Sequence, residues 1–253
     1  MNLMILLYFT IFLFGITIGS FLNVCIYRIP LKEDIVKERS HCMSCGHVLA
    51  WYELIPLISY LVQGGKCKKC KARISVQYPI IEALNGILYV ATFARYGLSI
   101  ESLLYCLLFS TLLALSVIDF RTYEIPIGFN VFILALGLIR VATDHMNWLQ
   151  YLIGVLAISI PLLIVYYITG GRGIGGGDVK LMAVCGLLLG WKLILLAFLM
   201  GCILGSVIHI IRMKVSKADH VLAMGPYLSL GIWIAAMWGN DLITWYLHSV
   251  GLG

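Results

Sequence analysis

Charge is scarce in this sequence. Only 12% of the residues are Asp, Glu, Lys or Arg, whereas 61% are hydrophobic, and residues 1–27 contain no charged side chain at all. A soluble globular domain carries about 25% charged residues, so this composition excludes that class. The uncharged start also lacks the basic residues that open a cleavable signal peptide, and we expect an uncleaved anchor helix there.

Long apolar runs fill most of the remaining chain. A membrane-spanning helix needs about 20 apolar residues, so the runs predict an all-α, polytopic membrane bundle of about eight transmembrane helices in a lipid bilayer. The net charge of +6 is typical of basic cytoplasmic loops in such proteins, and we expect no nucleic-acid partner. The predicted helices are 3–27, 79–95, 101–118, 126–142, 148–168, 180–190, 192–211 and 221–240.

The distribution of Lys and Arg predicts the orientation of these helices. Of the 18 Lys and Arg residues, all but Arg95, Arg140 and Lys192 fall in alternate loops or at their edges. Such an excess marks the cytoplasmic side of a membrane protein. It places both termini outside, and it places Asp119 and Asp178 at the cytoplasmic face. The basic segments are 28–78, 119–125, 169–180 and 212–220.

Four of the eight cysteines form two CxxC pairs in the longest polar loop, and the other four lie in apolar runs as packing residues. Two CxxC pairs supply the four thiolates of a structural, tetrahedral zinc site with no open position. Two disulfides or four free thiols are the alternatives, although a reducing cytoplasm disfavours disulfides. The flanking His41 and His47 are then surface residues. The predicted zinc ligands are Cys42, Cys45, Cys67 and Cys70.

This loop predicts a division of the chain into three parts. The first is a transmembrane helix over 1–27, the second a small cytoplasmic zinc-binding domain over 28–78, and the third a multi-helix membrane domain over 79–253. At the end of the first helix, Ser20 and Asn23 are interpreted as residues that form hydrogen bonds between helices. Arg28 is interpreted as a side chain that reaches the membrane surface.

Six glycines precede Asp178 in the segment 169–180. Glycine lets another chain approach closely, and a carboxylate at a membrane edge is by default a functional candidate. A flexible linker whose Asp caps a helix is the alternative. A nucleotide-binding loop is a weaker alternative, because no strand precedes the segment and no GK[ST] is present.

Asp119 ends the third predicted helix at the same membrane face as Asp178. Two close carboxylates in a weakly polar site cannot both ionise easily, so one keeps a proton. Such a pair can hydrolyse an amide: the ionised Asp takes a proton from water, and the protonated Asp donates to the carbonyl oxygen. The sequence leaves open which Asp is the base.

Taken together, the motifs of this chain resemble, almost end to end, those of the type IV prepilin peptidases, bacterial membrane aspartic proteases of the Gly-x-Gly-Asp class. Asp119 and Asp178 match the family's two catalytic aspartates. One departure is Ile127, which stands where the family often has a further Asp. The matching segments are GSFLNVCIYRIP, CMSC, CKKC, ISVQYPIIEALNG, IDFRTYEIP, GIGGGDVKL and AMGPYL.

The resemblance implies an aspartic endopeptidase of the bacterial inner membrane that cleaves the basic leader of type IV prepilins or pseudopilins. It also implies methylation of the new N-terminus with S-adenosylmethionine, with Glu82 and Gly86 as cofactor-binding positions. We expect Gly175, Gly176 and Gly177 to admit the extended substrate beside Asp178. A peptidase without methyltransferase activity is the alternative. Rivals from other classes are an ion-coupled transporter, which usually carries midplane charges and internal repeats, and a non-catalytic assembly anchor.

Overall fold

The computed structural model describes residues 2–216 and 222–251. Lys217, His220 and the predicted start of the last helix at 221 lie outside the described residues. The regular secondary structure of the described residues is helical, apart from two isolated β-bridges, which join His41 to Val48 and Lys66 to Arg73.

The described residues contain nine α-helices and two short 3-10 turns, joined by loops. The 3-10 turns span Trp51–Leu54 and His145–Asn147. The helices are α1 (Asn2–Leu31), α2 (Ile58–Val62), α3 (Gln77–Tyr96), α4 (Ile100–Thr122), α5 (Ile127–Thr143), α6 (Trp148–Thr169), α7 (Gly176–Leu189), α8 (Trp191–Ser216) and α9 (Gly225–Ser249).

The all-helical class is confirmed, and each of the eight predicted segments overlaps one of the long helices. The bounds differ where they matter for function. Helix α4 continues past Asp119 to Thr122, and α7 begins at Gly176, so that both aspartates belong to helices rather than to loops. Helix α9 begins at Gly225, beyond the predicted start at 221, and continues to Ser249.

Four helices in the described residues are long and apolar enough to cross a membrane. Because about 20 apolar residues are needed, the 17-residue α5 and the 14-residue α7 are short for that purpose. A total of eight crossings therefore stays a prediction. The four segments are Leu3–Leu31, Ile100–Thr122, His145–Thr169 and Trp191–Lys214.

The chain forms two compact units, 1–114 and 115–253, which divide within α4. In the first unit α1 packs along α3. The buried Asn23 donates to the carbonyl of Tyr78 and accepts from Gln77, as expected for a bond between helices. Arg28 differs from its prediction: it is buried, and its guanidinium donates to the carbonyls of residues 34, 38 and 39.

In the second unit α7 packs against α5, α6, α8 and α9. No charged residue follows Lys180 in α7, and most of the helix is buried. Gly186 allows this packing, because a Cβ there would overlap the carbonyl oxygen of Gly154 on α6. The close contact fixes α7, and thereby the position of Asp178 in its first turn.

Candidate active site and metal centre

Asp119 and Asp178 line the same cavity of about 280 Å³ in the second unit. They are 59 residues apart in the sequence, and they reach the cavity from the last turn of α4 and the first turn of α7. The structure thus brings together the two carboxylates that the sequence singled out. The remaining lining residues are Tyr123, Glu124, Ile125, Ile127, Asn130, Gly175, Gly176, Gly177 and Lys180.

The Asp119 carboxylate is 5% exposed and accepts a hydrogen bond from the backbone N–H of Gly225, at 2.8 Å from its Oδ2. Gly225 is the first residue of α9. Backbone N–H groups at a helix N-terminus, together with the helix dipole, favour a negative charge. A carboxylate that accepts such a bond is stabilised in its ionised form.

Gly225 leaves no room for a side chain. A Cβ added there would lie 2.6 Å from Oδ2 and 3.0 Å from Cγ of Asp119. Gly225 belongs to the AMGPYL segment, and nothing in that segment alone indicates a role for it. The contact with Asp119 connects residues 106 apart in the chain, and no local pattern reveals it.

Asp178 follows the N-cap residue Gly175 and lies outside the four segments suited to crossing a membrane. Burial of its carboxyl, together with the nearby negative charge of Asp119, raises the pKa of Asp178 to about 7. Near neutral pH the pair therefore holds one proton in a large fraction of molecules. One acid and one base in a single cavity can carry out general acid–base chemistry.

The three glycines before Asp178 all line the cavity, but they differ in the space around them. A Cβ at Gly175 would lie 3.0 Å from Oδ2 of Asp178, and one at Gly177 would lie 3.0 Å from Cβ of Ile125. A Cβ at Gly176 would be in ordinary contact with Tyr166, at 3.5 Å. A side chain at Gly175 or Gly177 would therefore crowd the cavity wall, whereas a Cβ at Gly176 would be accommodated.

Two lining residues were missed by the sequence analysis. Tyr123 has a positive φ of 56°, a strained conformation for an aromatic residue that often occurs at functional sites. Asn130 lies in the first turn of α5, is 5% exposed, and has no hydrogen-bond partner for Nδ2 or Oδ1. A single Asn in the apolar run 125–139 was the signal available in the sequence.

In the first unit the four predicted zinc ligands come together, with all four Sγ atoms within 4.8 Å of one another. All four are free cysteines, and Sγ of Cys42 is 3.8 Å from Sγ of Cys70, which excludes a disulfide between these two. A tetrahedral site with Zn–S bonds of about 2.3 Å needs sulfurs about 3.8 Å apart. The cluster therefore has the donor set and the spacing that zinc requires.

The two CxxC segments have the same backbone structure. Cys42 N–H donates to the carbonyl of His47 and Gly46 N–H to that of Cys42. In the second segment Cys67 N–H donates to Ala72 and Lys71 N–H to Cys67. N–H groups near the sulfurs lower the pKa of Cys42 to about 7, those of Ser44 and Cys45 contributing most. The N–H groups of Cys70 and Lys69 likewise lower the pKa of Cys67. Lower pKa values favour the thiolates that bind metal.

A second cavity, of about 370 Å³, lies in the first unit beside the cysteine cluster. Its volume is within the range of small-molecule sites. Glu53 lines it with a carboxylate whose Oε2 binds His47 and the N–H of Ala50, while its Oε1 is buried without a partner. The near-parallel rings of Tyr27 and Tyr78 also line this cavity. The lining carboxylates are Glu33, Glu38, Glu53 and Glu82.

Glu82 and Gly86, the two predicted cofactor-binding positions, have different surroundings. Glu82 is buried at the wall of the second cavity, where its Oε2 accepts the N–H of Leu57 at 2.8 Å. Gly86 is absent from that wall and packs against α1, where a Cβ on Gly86 would lie 2.6 Å from the ring of Phe12, and a Cβ on Gly15 would lie 2.7 Å from Cα of Gly86. Gly86 thus permits the close contact of α1 and α3.

Two family descriptions match the chain: the bacterial peptidase A24 N-terminal domain over residues 13–96, and the type IV leader peptidase family over residues 106–210. Comparison with solved structures finds no match.

Curated relatives cover nearly the whole chain, and each is called a prepilin leader peptidase/N-methyltransferase. The Pseudomonas putida protein is 32% identical over 94% of this chain and 92% of its own length. The Bacillus subtilis protein is 34% identical over 94% and 96%, and that of Pseudomonas aeruginosa is 31% identical over 94% and 93%. On this evidence, the chain belongs to the prepilin leader peptidase/N-methyltransferase family.

Proposed function

We propose that this chain is a membrane aspartic endopeptidase that removes the leader of type IV prepilins or pseudopilins and N-methylates the new N-terminus. The names of its relatives support the pair of activities. The observation that carries the peptidase assignment is the single cavity lined by Asp119 and Asp178.

The contacts of the two carboxylates support different roles for them in hydrolysis. Asp119 is the ionised base, because it accepts the N–H of Gly225 at the start of α9. Asp178 is the acid, because its pKa of about 7 keeps a large fraction of the molecules protonated at that position near neutral pH. The sequence alone left this division of roles open, and the two contacts support it.

The reaction then follows general acid–base chemistry. Asp119 takes a proton from a water molecule as the water oxygen bonds to the scissile carbonyl carbon, and Asp178 donates its proton to the carbonyl oxygen. The tetrahedral intermediate breaks its C–N bond as Asp119 returns a proton to the departing amine and Asp178 recovers one from the hydroxyl. Both carboxyls end as they began.

We further propose eight membrane crossings, with the active site at the cytoplasmic face of the bacterial inner membrane. The clustering of Lys and Arg in alternate loops supports this orientation. A prepilin carries its basic leader on the cytoplasmic side of an apolar helix, so its scission point meets that face. The proposed functional division is an anchor helix over 1–27, a zinc-binding domain over 28–78 and a protease domain over 79–253.

Zinc has a structural role in this proposal. The four thiolates fill a tetrahedral coordination sphere and leave no position for a substrate or water. The metal would join the two CxxC segments. The methyl donor is assigned to the neighbouring cavity.

Several residues of that cavity fit S-adenosylmethionine, which supplies an electrophilic methyl group on a sulfonium when bound. The unpartnered Oε1 of Glu53 is an acceptor for an ammonium or hydroxyl donor. The acidic lining, with Glu82 at its wall, favours a cation, and the rings of Tyr27 and Tyr78 can stabilise one through their faces. Gly86 then acts indirectly, through the packing of α1 on α3.

The proposal is tested by incubating the purified chain with a prepilin and S-adenosylmethionine, followed by mass spectrometry of the product's N-terminus. A trimmed and methylated product is expected. An intact leader would reject the peptidase assignment. A trimmed product without the methyl group would indicate a peptidase without methyltransferase activity.

A further inference from the structure

The cavity that holds the two aspartates contains a third polar group with no partner. Asn130 lies in the first turn of α5, and its side chain is buried. Neither its Nδ2 nor its Oδ1 makes a hydrogen bond within the described residues. A buried donor or acceptor left without a partner costs about 1–3 kcal/mol, so such a group calls for an explanation.

The other buried asparagines of the described chain are satisfied by the protein itself. In the first unit, Asn85 donates to the carbonyl of Gly15 at 2.7 Å and accepts from Ser110 at 2.8 Å. Asn23 donates to Tyr78 and accepts from Gln77. These two side chains hold helices together, whereas Asn130 holds none of its neighbours by a hydrogen bond.

The chemistry of the amide indicates what would satisfy it. An Asn side chain offers two N–H donors and a carbonyl acceptor, and a peptide backbone offers the complementary carbonyl and N–H. In the same cavity Asp119 and Asp178 face the position where a peptide bond is to be hydrolysed. We propose that Asn130 binds the substrate backbone beside the scissile bond and thereby positions that bond between the two carboxylates.

This inference rests on the proposed peptidase function and adds a positioning residue to it. Positioning of this kind contributes most when the reacting atoms are held within a few tenths of an ångström. The side chain of Asn130 is well suited, because it comes from a helix and is buried in the wall of the cavity.

The test compares Asn130→Leu, which keeps the volume but removes both polar atoms, with Asn130→Thr, which keeps one donor and acceptor. Ser229→Ala is the matched control, because Ser229 is also buried in the second unit with an unpartnered hydroxyl but does not line the cavity. Cleavage of a prepilin peptide and thermal unfolding are measured for each purified, full-length variant.

For Asn130→Leu we expect kcat/KM to fall about 100-fold, with a Tm equal to or above that of the wild type, because an unpartnered polar group is removed. Asn130→Thr should recover part of the activity, and Ser229→Ala should cleave within about twofold of the wild type. A purely structural Asn130 would instead lower the Tm and leave kcat/KM of the folded fraction unchanged, which would overturn the proposal.

A second measurement addresses the backbone contact directly. In each of a set of prepilin peptides, one peptide bond next to the scissile bond is replaced by an ester bond. Each peptide therefore lacks one backbone N–H donor. One of these esters should lower kcat/KM of the wild type about tenfold and leave that of Asn130→Leu unaffected. Equal losses in both enzymes would overturn the contact. A wild-type chain that leaves every peptide whole would reject the peptidase function itself.

Discussion

The cysteine cluster of the first unit and the carboxylate site of the second are built in different ways. Each half of the cysteine cluster is a six-residue turn, closed by its own backbone hydrogen bonds and repeated almost unchanged. The carboxylate site draws its residues from α4, α5, α7 and α9, and the hydrogen bond from Gly225 to Asp119 joins residues 106 apart.

The difference shows where each site is vulnerable. The cysteine cluster depends on local turns and on the metal that joins them. The carboxylate site depends on the packing of several helices around α7, and a single added methyl group at a helix contact can disturb it. The predictions below separate these two dependencies.

The largest effect is expected from Asp119→Asn or Asp178→Asn. Either change removes one member of the acid–base pair, and we expect prepilin cleavage to fall by about 10³-fold or more. Zinc content should stay that of the wild type. Asp241→Asn, a change at an exposed acid of α9 outside the cavity, is the control and should cleave normally. Full activity in either active-site variant would remove the catalytic assignment.

For Cys67→Ser the expected loss is of bound zinc rather than of the acid–base pair. Cys67 is 3% exposed and is one of the four clustered thiols. A serine cannot replace its thiolate, so we expect zinc to fall from about one ion per chain to about a tenth or less. Zinc is measured by elemental mass spectrometry of the purified protein. Cys202→Ser, in α8, should leave zinc unchanged, and undiminished zinc in Cys67→Ser would contradict the metal site.

A smaller loss of cleavage is expected from Gly225→Ala. The added methyl group would lie 2.6 Å from Oδ2 of Asp119 and would push the carboxylate from its N–H donor. We expect kcat to fall about 10- to 100-fold. Gly205→Ala is the matched control, because its Cβ would be at an ordinary 3.5 Å from Tyr227. Equal activity of the two variants would show that Gly225 does not position Asp119.

The pH dependence of cleavage should report the proton on Asp178. Its pKa is raised to about 7, so the protonated acid is abundant below that pH and is lost above it. We expect kcat to be maintained just below pH 7 and to fall about tenfold per pH unit well above it. A rate that stays constant from pH 7 to pH 9 would mean that Asp178 does not act as the acid.

The smallest effect concerns the one position at which the two cysteine turns differ in backbone strain. Gly46 and Lys71 occupy equivalent places with φ of 66° and 61°, a conformation that costs a side-chain-bearing residue about 1 kcal/mol. Lys71→Gly should therefore raise the zinc-loaded protein's Tm slightly, and Gly46→Lys should lower it. Thermal unfolding measures both, and shifts of the opposite sign would contradict the equivalence.

Local patterns accounted for much of what the sequence predicted. Apolar runs located the eight long helices, and the CxxC spacing located four thiols that the structure brings together. Both are properties of neighbouring residues. The helix ends were less accurate, because tertiary packing extends α4 through Asp119 and begins α7 before Asp178.

Contacts between distant segments could not be read from the sequence. The N–H of Gly225 at Asp119 and the unpartnered amide of Asn130 depend on how α9 and α5 pack in the second unit. Arg28 was expected to reach the membrane surface, but three backbone carbonyls of the following loop bind it. In each case a polar residue in an apolar run was visible, and only the packing revealed whether the protein supplies it with a partner.

The central claim is that Asp119 and Asp178 together activate one water molecule that attacks the scissile bond directly. A single turnover in H₂¹⁸O, with enzyme in excess over prepilin, tests it by mass spectrometry of the released leader and of the enzyme peptides. The account predicts one ¹⁸O in the leader's new carboxyl group and none in either aspartate. Label in Asp119 or Asp178, or an unlabelled leader, would contradict it.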